Sequence, residues 1–228
     1  MRFWEIDFAR GVAVILMLVY HFFFDFYFFG KVELSEDFLF YFPRFVGAMF
    51  IFISGYTMSV VKPGIFRVLR KILKLTLLAI TISFVTFILF KEKMVYFGIL
   101  HFFALATLIS IPFVKRPKIS ALAGIFLISL GQIDLRTDNY YLLWLGVAPR
   151  NFTTLDYYPL IPNLGYMLLG IFAGSYHKPL NLNLKDPVSF LGKNSLKVYL
   201  IQHPLIFLVL CLIYPDVLES FVDIVELN

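Results

Sequence analysis

The stretch Ile6-Asp7-Phe8-Ala9-Arg10-Gly11-Val12-Ala13-Val14-Ile15-Leu16-Met17-Leu18-Val19-Tyr20-His21-Phe22-Phe23-Phe24-Asp25-Phe26-Tyr27-Phe28-Phe29 decides the fold. It is long enough to cross an apolar layer about 30 Å thick, which takes roughly 20 helical residues. Its hydrophobicity is continuous, not alternating, so it reads as a membrane helix and not as a strand of a barrel. It is too long for a removable signal peptide, carries charge, and lacks a small-residue cleavage pattern. Inside it stand Asp7, Arg10, His21 and Asp25. Each such group costs at least about 2.5 kcal/mol near a bilayer centre unless it is paired or faces water.

Helical geometry gathers these four groups. At about 100° per residue, the eleven steps from Arg10 to His21 return to within about 20° of the starting direction, and Asp7 and Asp25 fall within about 60°. The stripe runs along the helix, with about 16 Å of rise between Arg10 and His21. Asp25 is one turn beyond His21, the relation in which a carboxylate holds an imidazole in one tautomer and raises its basicity. Two local pairs that only fix helix packing are the bland alternative for any one of them. Four aligned groups in one span favour function.

Outward from this span, similar runs lie near residues 38–61, 72–90, 97–114, 119–133, 158–176 and 195–214. The whole chain is 60% hydrophobic and 15% charged, with a mean hydropathy of +0.83, which a soluble domain of this length could not bury. The net charge of +5 is partitioned by loop. Lys62, Arg67, Arg70, Lys71 and Lys74, then Lys115, Arg116 and Lys118, then Lys178, Lys185, Lys193 and Lys197 mark one side. The remaining connections and the end of the chain carry the acidic residues. Positive loops belong inside. The expectation is an all-α polytopic bundle of about seven transmembrane helices in the cell membrane, with the N-terminus cytoplasmic and no nucleic-acid partner. Residues 1–214 read as a single membrane domain and 215–228 as an acidic external tail. The segment 119–133 is short for a span, and residues 140–149 read either as a re-entrant stretch or as a surface loop. The lone Cys211 permits no internal disulfide. No metal-ligand spacing, phosphate-binding glycine loop or nucleophilic serine motif is present. His177 is expected to be exposed.

The opening Arg2-Phe3-Trp4-Glu5-Ile6-Asp7-Phe8-Ala9-Arg10-Gly11, followed by Met17, His21 and Asp25, carries a resemblance. It continues in Phe50-Ile51-Phe52-Ile53-Ser54-Gly55-Tyr56, in Phe97-Gly98-Ile99-Leu100-His101, and in Asp156-Tyr157-Tyr158-Pro159-Leu160-Ile161-Pro162. It ends in Leu191-Gly192-Lys193-Asn194-Ser195-Leu196 with Tyr199, Gln202, His203 and Pro204. These segments resemble the catalytic domain of the heparan-alpha-glucosaminide N-acetyltransferase family. The spacing of Arg10, ten residues and His21 also resembles the signature of the acyltransferase-3 family. The resemblance implies acyl transfer from acetyl coenzyme A, or a related thioester, to a hydroxyl or amine acceptor, commonly a sugar on the far side of the membrane. It leaves room for a homodimer among membrane lipid.

Within that expectation His21, Asp25 and His101 are the candidate catalytic groups. For His101, an interfacial histidine bonded to a carbonyl is an equal alternative. Arg10 is a candidate for the coenzyme phosphates, because no topological rule places a guanidinium inside a span. Arg67, Arg70 and Lys71 suit the same phosphates, although topology alone also explains them. Ser195, Tyr199 and Gln202 share a face of the last span, so Ser195 and Tyr199 are candidates to line the thioester tunnel. Gln202, His203 and Asp156 are candidates for the acceptor. The rival function is a proton-coupled transporter using the same stripe as a relay.

Overall fold

The computed structural model describes residues 3–180, 182 and 184–226, with the side chains of Glu92, Ile224 and Glu226 excepted. Arg2, which opens the resembling motif, and Leu227 and Asn228 of the expected tail lie outside the described residues, as do the Glu92 and Glu226 side chains of the charge pattern. The fold is 73% helix. Among the described residues there are nine α-helices and no strands, only isolated bridges. They are α1 (Trp4–Phe28), α2 (Glu36–Val61), α3 (Ile65–Phe90), α4 (Ile99–Ser110), α5 (Pro117–Leu130), α6 (Leu160–Gly174), α7 (Pro187–Lys193), α8 (Ser195–Ile213) and α9 (Asp216–Glu226). Four of them, α1, α2, α3 and α8, are long and apolar enough to cross a membrane. Shorter apolar helices span Ile99–Lys115, Pro117–Leu130 and Leu160–Gly174. Large side chains such as Phe66, Leu122, Leu212 and Phe126 lie 83%, 71%, 75% and 64% exposed. In water that surface would be prohibitive; against hydrocarbon it costs nothing.

The chain divides into two compact units, one of residues 1–50 and 178–227, the other of 51–177. The first unit contains α1, α7, α8, α9 and the start of α2. Its local signals are legible: Ser35 Oγ accepts the Phe38 N–H at 3.3 Å as α2 begins, and Asp186 caps α7 through the Ser189 N–H at 2.8 Å, with Pro187 in the first helical turn. At the other end of α1, Gly30 takes a φ of +67°, and the Lys31 N–H reaches back to the Phe26 carbonyl at 2.9 Å.

The contact of α1 with α7 is made backbone to backbone. A Cβ placed on Gly11 would lie 1.9 Å from the Val188 carbonyl oxygen, and one on Gly192 would lie 1.9 Å from that of Asp7. Only glycine fits at either point, as at close helix crossings in lipid generally. The Trp4 indole N–H donates to Asp186 Oδ2 across the same contact. Beyond this seat α8 runs alongside α1 in the same direction. His203 lies level with His21, and further along Phe26 packs with Ile206 and Leu210. The expected tail is ordered: α9 inserts Val217 into that last cluster, and Asp216 pairs with Lys31 at 2.5 Å.

The second unit is built around α6. Gly124 of α5 and Gly165 of α6 face one another so closely that a Cβ on Gly165 would meet the Gly124 carbonyl oxygen at 2.7 Å, and Ser120 Oγ donates to the Leu168 carbonyl at 2.8 Å. Gly55 and Gly170 do the same for α2 against α6. The Ser54-Gly55-Tyr56 motif is therefore a packing device. Residues 140–149 fold as successive turns over the start of α6. The carbonyls of Trp144 and Leu145 accept the N–H groups of Leu160 and Ile161 at 2.9 and 3.0 Å, and Tyr157 Oη donates to Leu143 O at 2.8 Å. His177, expected to be exposed, is half-buried and bonded to Tyr56 Oη at 2.7 Å.

Candidate functional site

In the first unit, α1 and α8 bring His21, Asp25, Gln202 and His203 together. The His21 Nδ1–H donates to the Met17 carbonyl at 3.0 Å. That bond fixes the tautomer, so the Nε2 lone pair is the one available to accept a proton. The expected pairing of Asp25 with His21 is corrected. Asp25 Oδ2 lies 3.1 Å from Nδ1 of His203 instead, and the rings of His203 and His21 meet edge to face with centroids 4.6 Å apart. The physical reason is direction: a helical side chain leans toward the N-terminus of its own helix, and His21 finds the Met17 carbonyl there. The Asp25 carboxylate is left for the partner helix. Its side chain is 13% exposed and that of His203 50%, so the pair joins a sheltered carboxyl group to an accessible imidazole.

Gln202 sits beside the His21 ring and is 2% exposed. Neither its Oε1 nor its Nε2 makes a hydrogen bond. One residue on, His203 is turned to Asp25. Tyr199 packs against Val14, Met17 and Val46, and Ser195 opens α8 next to the α7 seat.

At the start of α1, Arg10 Nη1 lies 3.4 Å from Asp7 Oδ1, the local pairing expected as the bland alternative. The Asp7 side chain is buried, and its second oxygen, Oδ2, has no hydrogen-bond partner. Lys193 and Lys197 are exposed at the same end of the unit. Outside the membrane-spanning helices, Asp186 has its carboxyl held below the usual range by the Ser189 backbone N–H first and by the Trp4 indole next.

The other candidates lie in the second unit. Arg67, Arg70 and Lys71 are exposed along the first turns of α3. His101 and Asp156 come to one place, the start of α4. His101 Nδ1 accepts the Gly98 N–H at 3.2 Å, and Nε2 lies 3.4 Å from Ser83 Oγ. That hydroxyl in turn donates to the Val95 carbonyl at 2.5 Å. Both ring nitrogens of His101 are thus engaged. Asp156, expected as an acceptor-binding loop residue, takes the Ile99 N–H at 2.8 Å through Oδ2 and caps the helix from a distance of 57 residues in sequence. Among the described residues no group of three or more His, Cys, Asp or Glu is placed to hold a metal ion.

Sequence reading missed the His203–Asp25 pair, the Trp4–Asp186 bond and the glycine seat. The signals were present: Asp186-Pro187-Val188-Ser189 is a capping sequence, and Gly11 and Gly192 both stand inside the motifs that carried the resemblance.

An imidazole–carboxylate pair, a second imidazole and a buried amide on adjoining apolar helices form a candidate site for proton-transfer chemistry. The family model described as "Heparan-alpha-glucosaminide N-acetyltransferase, catalytic" matches residues 2–204, and the chain belongs to that family. The family implies a membrane acetyltransferase, with acetyl coenzyme A as the donor in general. The match closes one residue after His203 and so takes in α1 and the first half of α8. No curated protein and no solved structure matches the chain.

Proposed function

We propose that the protein transfers an acetyl group from cytoplasmic coenzyme A thioester to a hydroxyl or amine, on a sugar or other small acceptor, at the outer side of the cell membrane, with His21 as the general base. The observation that carries this reading is the His21 Nδ1–H bond to the Met17 carbonyl. It leaves Nε2 as a base on the face that meets Gln202 and the His203–Asp25 pair. His101 has no such nitrogen to spare, so its place and that of Asp156 is structural support at the start of α4. The spacing of Arg10 and His21, which resembles the acyltransferase-3 signature, supports the same assignment.

The topology proposed is seven crossings with the N-terminus inside: α1, α2, α3, α4 with its 3-10 extension, α5, α6 and α8. Alternation of loop charge supports it. So does direction, since α1 and α8 run in parallel, as the first and seventh of an alternating series must, and Gly55 and Gly170 join α2 and α6 in parallel as the second and sixth must. The helix α9 then lies at the outer side, packed through Val217 on α1 and α8. On this topology Arg10, Lys193 and Lys197 lie at the inner end of the first unit, where the phosphates of the donor would sit. Arg67, Arg70 and Lys71 are further candidates for coenzyme phosphate by the basic charge of their own loop. Ser195 and Tyr199 line the way from there along α8, and His203 faces the acceptor. The orphaned oxygen of Asp7 and the orphaned amide of Gln202 at the two ends of this path are groups a polar ligand would satisfy.

The reaction needs little else of the chain. His21 takes the acceptor proton as the acceptor attacks the thioester carbonyl carbon, then returns it to the departing thiolate. The test is labelled acetyl coenzyme A with purified protein in detergent, wild type against His21→Ala. Loss of transfer by a factor of about 100 or more is expected; a variant as active as the wild type removes His21 from the chemistry. The family match gives the transporter alternative no support.

A further inference from the structure

Several buried polar atoms lack hydrogen-bond partners: the hydroxyls of Ser59, Thr107 and Ser110, one oxygen of Asp7, and both polar atoms of Gln202. A helical hydroxyl can rotate onto the carbonyl four residues earlier, and the other Asp7 oxygen already meets Arg10. Gln202 has no such recourse. Its amide offers two donors and two lone pairs on a residue 2% exposed, and beyond its interaction with the His21 ring it has no partner in hydrogen-bond geometry. It is aimed where the base stands, beside the ring of His21, and it is the immediate neighbour of His203.

We propose that Gln202 is the oxyanion donor of the acetyl transfer, its Nε2–H group pointing at the carbonyl oxygen of the thioester; this rests on the reading of His21 as the base. His21 Nε2 takes the proton from the acceptor hydroxyl or amine, whose lone pair forms the bond to the carbonyl carbon. The carbonyl π pair moves onto oxygen, where the Gln202 N–H donates to the charge that develops. The pair then returns, the C–S bond breaks with its electrons on sulfur, and the proton held by His21 passes to the thiolate. Acetylated acceptor and free coenzyme A thiol result, and nothing is oxidised or reduced. A donor held in a water-poor site is worth most where charge appears only in the transition state. A buried amide beside the base whose N–H group has no partner in hydrogen-bond geometry has that character.

The experiment uses the full chain in detergent, labelled acetyl coenzyme A, and glucosamine as acceptor, with donor hydrolysis measured in parallel. Gln202→Met keeps the length and removes the donor; Gln202→Asn keeps the amide one methylene short. A fall in kcat of about 100- to 1000-fold is expected for Gln202→Met. KM for the donor should be unchanged within about threefold, partial recovery should appear in Gln202→Asn, and the inflections of the pH–rate profile should stay in place. The thioether S-ethyl coenzyme A has no carbonyl oxygen and should bind wild type and Gln202→Met alike. A kcat within about threefold of wild type, a loss carried by KM, or a shifted pH profile overturns the proposal. His21→Ala separates the two layers. If it retains full rate, the reading of the base fails; if it is inactive while Gln202→Met turns over normally, only the oxyanion assignment fails.

Discussion

Asp25 Oδ2 lies 3.1 Å from Nδ1 of His203, a residue 178 positions away, while His21, one turn from Asp25 on the same helix, is anchored to Met17. A carboxylate on the donor nitrogen of an imidazole fixes its tautomer and stabilises its cation. The pair should therefore act as one element. Asp25→Asn and His203→Asn are each expected to lower transfer by about 10- to 100-fold, less than loss of the base itself, and the double variant should lose little more than either single. Full additivity in steady-state rates would show that the two residues act independently.

The glycine seat predicts a stability effect with no side chain involved. Gly11→Ala and Gly192→Ala each force a methyl into a carbonyl oxygen 1.9 Å away, so each should cost about 3 kcal/mol or more, the upper end of overpacking penalties. Gly64→Ala is the control, since nothing lies within 4 Å of its added Cβ. Thermal unfolding in detergent should separate the first two variants sharply from the third.

Asp186 predicts a dependence on pH. Its carboxyl is depressed in the folded chain by the Ser189 N–H and the Trp4 indole. A depressed carboxyl contributes stability that is fully present above its unfolded value, near 3.9, and is lost as the pH falls through the lower folded value. In a Trp144→Phe background, the fluorescence of Trp4 should report opening of the α1–α7 seat on the acid side. Asp186→Asn should weaken the seat at neutral pH and flatten that acid response.

At the start of α4, Asp156→Ala removes a helix cap and should cost about 0.5–2 kcal/mol of stability. His101→Gln disturbs the chain of bonds through Ser83 to the Val95 carbonyl. With the base at His21, both variants should keep kcat within about threefold once folded protein is matched. A loss of kcat by about 100-fold in His101→Gln, with unfolding unchanged, would return His101 to the chemistry.

What could be read from residues alone followed the range of the forces involved. The apolar runs near 6–29, 38–61 and 195–214 became α1, α2 and α8 within a few residues, because lipid solvation acts on each helix separately. The stripe of Asp7, Arg10, His21 and Asp25 was legible for the same reason: it depends only on helical pitch. Pairing across helices was not legible. Asp25 had an obvious local partner and a better distant one, and only the packing of α8 on α1 chooses between them. The short α7 was hidden because its seven residues lack an apolar run, although its capping sequence was in plain view. His177 was expected at the surface and Asp156 at the acceptor, yet both are tied down by partners far away in sequence.

The seat of Gly192 on the backbone of Asp7 and Gly11 has a bearing on how the protein is made. The two walls of the candidate site are separated in translation by residues 51–177. During that interval Asp7 and Arg10 already hold one another within the first helix, while Asp25 waits for His203. Completion of the site therefore waits on synthesis of residues 187–213, and defects in that stretch should be as damaging as defects in the first helix.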